Sequence, residues 1–195
     1  MSSRRFNLGS VLLTLAVVAG ISLLPHSAAA QASGLDFAGQ PVDPVKSATG
    51  KVTVLIFVRT DCPVSGRYAP TVQQISSRYR DEVRFWLVYP DKSESPEEIQ
   101  KYLREYGYKL PALRDPQHAL VRQSQAEITP ESAVFDRAGR LIYHGRIDNL
   151  YVEFGRARSA ATSHELDDAI QSALTGKPLA KPYISGVGCY ISDLQ

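Results

Sequence analysis

Two soft nucleophiles stand in this sequence, Cys62 and Cys189, and the surroundings of the first point to thiol chemistry. Cys62 lies in a polar turn, Arg59-Thr60-Asp61-Cys62-Pro63-Val64-Ser65-Gly66. Before the turn, residues 52–58 are apolar and rich in β-branched side chains, which predicts a buried strand. After it, Val64, Tyr68, Val72, Ile75 and Tyr79 recur at steps of three and four, which is helical spacing. Pro63 fits a first helical position, where a missing N–H loses nothing. The Cys62 sulfur is therefore expected at a helix N-terminus, where free amide donors and the positive end of the dipole favour a thiolate and lower the thiol pKa. Ser65, one turn on, is placed to donate its hydroxyl to the same sulfur. Arg59 would lower the Cys62 pKa and Asp61 would raise it. The simpler reading of both is solvated loop charge.

The second cysteine lies far away in sequence, and the compartment decides what the pair can do. The first thirty residues read as an export signal: Arg4 and Arg5, an apolar stretch over residues 8–24, then small residues at 28–30 and 30–32 that offer cleavage sites. An uncleaved anchor is the alternative, and Arg4-Arg5-Phe6 is compatible with a twin-arginine signal as well as the general route. A periplasmic or secreted chain with two cysteines can hold one disulfide. Two cysteines are too few for a zinc ribbon, and His118, His144 and His164 show no ligand spacing relative to them, so neither metal nor cofactor is expected. Arg4 and Arg5 account for the whole formal charge of +2, which leaves a neutral body and argues against a nucleic-acid partner. No stable membrane insertion is expected after cleavage.

The remaining elements must present the turn. Residues 32–50, with Gly34, Gly39, Pro41 and Pro44, read as an irregular lead-in with room for a short hairpin. Residues 83–89 form a second strand. Ser95-Pro96-Glu97-Glu98 is a capping box before a helix with Ile99, Tyr102, Leu103 and Tyr106 on its apolar face. Residues 110–113 read as a short extended piece and 118–125 as a small helix. Residues 132–135 and 141–144 are strands joined by Asp136-Arg137-Ala138-Gly139. Residues 148–159 read as a long loop, with Arg146 and Asp148 as an ion pair beside it. Thr162-Ser163-His164-Glu165 caps a last helix whose inner face is Leu166, Ala169, Ile170, Ala173 and Leu174. Strand, helix, strand, helix, then hairpin and helix implies parallel strands with crossover helices and an antiparallel edge.

This arrangement resembles the thioredoxin-fold redoxins, in particular exported relatives of the alkyl hydroperoxide reductase and thiol-specific antioxidant (peroxiredoxin-like) group. Phe57 ends the buried strand before the turn. Cys62-Pro63-Val64-Ser65 occupies the place of the thioredoxin Cys-x-x-Cys. Ala69-Pro70 falls where thioredoxins kink the same helix. Thr129-Pro130, before a hairpin, matches the cis-proline loop that faces the cysteine. Gly186-Val187-Gly188-Cys189-Tyr190-Ile191 looks like a tail seen at the end of one redoxin subgroup. The resemblance spans roughly residues 36–174. It implies an α/β, thioredoxin-like fold over 36–178, with a central mixed sheet, a C-terminal β-hairpin, flanking helices and a tail, 179–195, that carries Cys189.

The resemblance also implies roles. Cys62 would attack a disulfide, and the backbone of Thr129, exposed by a cis Pro130, would pair with an extended thiol substrate as an added strand. Cys189 would then either resolve the oxidised Cys62 or staple the tail permanently, a loop closure that could stabilise by on the order of 4 kcal/mol. Three departures stand out: Ser65 replaces the second motif cysteine, Thr60 lies two rather than three residues before Cys62, and Glu131 stands where peroxiredoxins place an arginine. The expected activity is exported thiol–disulfide exchange on protein or small-molecule substrates. A thiol peroxidase acting on peroxide and a redox-silent binding module with a fixed disulfide are the alternatives.

Overall fold

The structure, a computed structural model, describes residues 33–48 and 50–192. The stretch expected to be an export signal lies outside the described residues. Among those described, no helix is long and apolar enough to cross a membrane.

The chain opens with the small hairpin β1 (Gly34–Leu35) and β2 (Pro41–Val42). Its turn is organised by the Asp36 carboxylate, which accepts the N–H groups of Ala38 and Gln40. β3 (Val52–Phe57) follows, and every one of its residues is buried, as its unbroken apolar run requires. α1 (Pro63–Arg78) crosses over to β4 (Val83–Tyr89), which lies parallel to β3. α2 (Pro96–Glu105) starts with the expected capping box: the Ser95 side chain accepts from Glu98 N–H, and the Glu98 carboxylate accepts from Ser95 N–H. It leads to β5 (Ala112–Arg114), parallel to β4.

α3 (Ala119–Ser124) precedes β6 (Ile128–Thr129), β7 (Glu131–Phe135) and β8 (Leu141–Gly145). Then come β9 (Tyr151–Glu153), β10 (Arg156–Ala157), α4 (Glu165–Thr175), β11 (Tyr183–Ile184) and β12 (Cys189–Tyr190). The main sheet has eight strands in the order β11-β8-β7-β3-β4-β5-β1-β2, mixed in direction and central on β3. Val54 and Ile56 of β3 pack with Tyr68 and Val72 of α1, Ile99 of α2 and Ile170 of α4. Leu55 and Phe57 face the other way and pack with Leu120 and Val121 of α3. The period of two in β3 thus sorts its neighbours onto the two faces.

Three local expectations are corrected. The β7–β8 hairpin forms antiparallel as expected, but it is not an edge, because β7 also pairs with β3 and β8 is covered by β11. Residues 148–159 are not a structureless loop, since β9 and β10 pair as a hairpin. The last helix has no side-chain cap to its backbone, and its N-cap is His164. Asn149 instead holds the approach, its side-chain oxygen accepting the N–H groups of Thr162 and Ser163.

Candidate active site

The turn after β3 delivers Cys62 as the N-cap residue of α1, with Pro63 at the first helical position. Cys62 O accepts Gly66 N–H, the first bond of the helix, so the donors ahead of Gly66 have no partner within it. Cys62 is 2% exposed. Burial raises the Cys62 pKa, but the Cys189 thiol, the backbone N–H and hydroxyl of Ser65 and the side chain of Thr129 together outweigh it and hold the thiol below its ordinary value. Ser65 is fully buried and its oxygen lies 3.5 Å from Arg59 N, which donates to it. Its own proton is thereby left for the sulfur.

Across from the sulfur, the Thr129–Pro130 peptide is cis. The Thr129 carbonyl lies 3.1 Å from Cys62 Sγ and accepts the thiol proton while one is present. Beyond it runs the tail. β12 pairs antiparallel with β6, Cys189 opposite Thr129 and Tyr190 opposite Ile128, and Ile191 N–H donates to Glu127 O at 2.9 Å. This brings Cys189 Sγ to 2.6 Å from Cys62 Sγ, both cysteines being free thiols. Burial first, then the bond to Cys62 and the negative charge there, push the Cys189 pKa up to about 12. The pair is therefore asymmetric: Cys62 gives up its proton more readily than Cys189 does. All five residues singled out from sequence, Cys62, Ser65, Thr129, Pro130 and Cys189, meet at one place.

Arg59 is not the solvated charge it resembles in sequence. Its guanidinium contacts Asp61 at 2.8 Å and Asp91 at 3.1 Å and donates to Tyr190 O at 3.3 Å, so it clamps the tail onto the turn. Two buried carboxylates escaped the sequence reading as site-building groups. Glu94 accepts Thr60 N–H at 2.6 Å and so fixes the turn from beneath. Glu131, 2% exposed, accepts the N–H groups of Glu127 and Ile128 at 2.8 and 3.1 Å, which holds β6 in place for pairing. Burial raises the pKa of both above the usual carboxylate range. Their one sequence signal is an acid beside a turn or a strand start, which is common on solvated surfaces. Arg146 and Asp148 do not pair with each other: Arg146 binds Glu165, and Asp148 accepts the Tyr68 hydroxyl at 2.6 Å. Among the described residues no cluster of His, Cys, Asp or Glu could hold a metal ion.

A protein-family model described as Redoxin matches residues 26–154, a span that ends before Cys189. No curated protein matches the chain. Among solved structures, a hypothetical protein from Sinorhizobium meliloti 1021 superposes with a TM-score of 0.67 at 21% identity, covering 82% of this chain and 88% of that one. An uncharacterized conserved protein from Geobacillus kaustophilus gives 0.67 at 23%, covering 83% and 89%. A secreted Mycobacterium tuberculosis disulfide oxidoreductase homologous to E. coli DsbE gives 0.53 at 20%, covering 73% and 96%. At these identities the likeness is one of fold.

Proposed function

The chain belongs to the redoxin family, and from that premise we propose that it is an exported thiol–disulfide oxidoreductase with Cys62 as nucleophile and Cys189 as resolving thiol. The observation that carries the reading is the meeting of the Cys62 sulfur, at the start of α1, with the cis Thr129–Pro130 segment and the Cys189 thiol. The secreted disulfide oxidoreductase of the same fold supports it as an analogy.

The asymmetry of the pair sets an order of events. The Cys62 thiolate attacks one sulfur of a substrate disulfide, and the other sulfur leaves as a thiolate. Cys62 is now in a mixed disulfide and carries no charge. The hydrogen bond and repulsion that kept Cys189 protonated are gone, and Arg59, beside Cys189 whenever the tail is seated, favours its anion. Cys189 then ionises more easily and attacks Cys62 Sγ, expelling the second substrate thiolate and leaving a Cys62–Cys189 disulfide. An external dithiol must reduce that bond before the next turnover.

The test uses Cys62→Ser and Cys189→Ser. Cys62→Ser should abolish exchange with a model disulfide. Cys189→Ser should capture the substrate as a mixed disulfide visible by mass spectrometry. Exchange that survives in Cys62→Ser overturns the assignment. If the wild-type disulfide resists reduction below about −300 mV, the bond is a permanent staple instead.

A further inference from the structure

We propose that the tail strand β12 is an internal stand-in for a polypeptide substrate, and that the edge it covers selects an extended chain with glycine just before the reacting cysteine and an aliphatic side chain two residues after it. This deepens the reading of Cys62 as nucleophile and rests on it.

The tail is bound as an added strand would be, antiparallel to β6, with its cysteine at the sulfur of Cys62. Its sequence fits the edge position by position. A Cβ on Gly188 would lie 2.2 Å from Thr129 O, a backbone atom that the cis peptide and the β12 pairing hold in place. Gly188 is not among the glycines with positive φ, so its lack of a side chain answers to close approach and not to backbone conformation. Tyr190 points away and is 79% exposed, so the residue after the cysteine is unconstrained. Ile191 is only 5% exposed and packs into the core layer of Leu55, Phe57 and Ala133. Glycine, cysteine, any residue, aliphatic is thus the pattern the edge accepts.

The grip is short, since β12 has two residues. Beside it runs a groove of about 360 Å³ between the tail and the β9–β10 hairpin. Val152 and Phe154 stand exposed on its rim, Phe154 by 62%. Exposed apolar side chains beside a strand edge give a partner's flanking residues a place to land. Tail and substrate need the same edge, so the tail must lift for the substrate to enter. When Cys189 returns to attack Cys62 Sγ, the bond from Cys62 to the substrate cysteine breaks, its electron pair leaves on the substrate sulfur, and β12 reoccupies β6. Resolution and product release are then one strand exchange.

The test uses the purified protein carrying Cys189→Ser, which holds any product as a mixed disulfide. The probe is the peptide Ser-Gly-Val-Gly-Cys-Tyr-Ile-Ser with its cysteine in a disulfide to thionitrobenzoate. Attack by Cys62 on the peptide sulfur releases the coloured thiolate, so the capture rate is read directly. Valine in place of the glycine before cysteine, or serine in place of isoleucine, should each slow capture at least fivefold, and alanine in place of tyrosine less than fivefold. Adding Ile191→Ser to the protein removes the tail's anchor and should speed capture of the parent peptide at least threefold. Smaller effects of the valine and serine peptides overturn the selection rule. A rate unmoved by Ile191→Ser overturns the shared edge. If even a glutathione–thionitrobenzoate disulfide fails to react at Cys62, the nucleophile reading beneath the proposal falls instead.

Discussion

A single sulfur with a lowered pKa is produced here by ordinary parts. Cys62 is buried, which alone would make it inert, and three neighbours reverse that. Ser65 contributes twice, through its N–H at the start of α1 and through its hydroxyl. Replacing it with alanine removes the second donor and leaves the first. The expected result is a higher midpoint for the pH dependence of Cys62 alkylation and a several-fold slower reaction at pH 7, since each unit of upward shift lowers the thiolate fraction about tenfold below the midpoint. The sign in the wild type follows from the same shift. The rate should fall as pH drops through a midpoint lying below that of an unperturbed thiol, and level off above it. Iodoacetamide labelling of the reduced wild type across pH, with the modified cysteine identified by mass spectrometry, reads this while keeping the Cys189 donor in place, and a midpoint at or above about 8.5 contradicts it.

At the scale of elements, the site depends on how α1 and the β6 edge are held against each other. Tyr68 lies one turn and a half beyond Cys62 on the buried face of α1, and its hydroxyl donates to Asp148, which also accepts Leu150 N–H at 2.9 Å. Both residues are buried. The bond ties the helix to the chain entering β9 and takes the place of the Arg146–Asp148 pair that the sequence suggests. Tyr68→Phe leaves the carboxylate short of a partner and should destabilise the fold by about 1–3 kcal/mol, measured by urea unfolding with an unchanged slope. An unchanged midpoint would mean that water satisfies Asp148 without Tyr68.

For the molecule as a whole, the tail over residues 183–191 is part of the architecture and not an appendage. β11 extends the sheet beside β8, and Gly145 makes the approach possible, because a Cβ there would meet Ile184 O at 2.2 Å. β12 then pairs with β6, the strand that ends at the cis peptide. Joining Cys62 to Cys189 closes most of the chain into one loop, and the chain-entropy estimate for such a closure is on the order of 4 kcal/mol. The oxidised protein should melt about 10 °C above the reduced one. Differential scanning calorimetry with and without a dithiol reductant measures the gap, and equal melting temperatures would show that the bond does not form.

Local pattern alone was enough for β3, α1, β4 and α2, because burial on two faces, helical spacing and a capping box are properties of neighbouring residues. It also placed Cys62 at a helix start and Thr129-Pro130 before a hairpin. What it could not reach is whatever depends on residues distant in sequence. Arg59 reads as loop charge until the tail arrives to accept a hydrogen bond from it, and Glu131 reads as a missing arginine until the N–H groups of Glu127 and Ile128, at the start of β6, turn toward it. The β9–β10 pairing has no strong alternation to announce it, and the position of Cys189 follows from strand pairing with β6, which no periodicity encodes. Sequence determined which sulfur could become reactive; only the folded chain decided that the strand carrying the second sulfur would pair with β6 and bring the two sulfurs together.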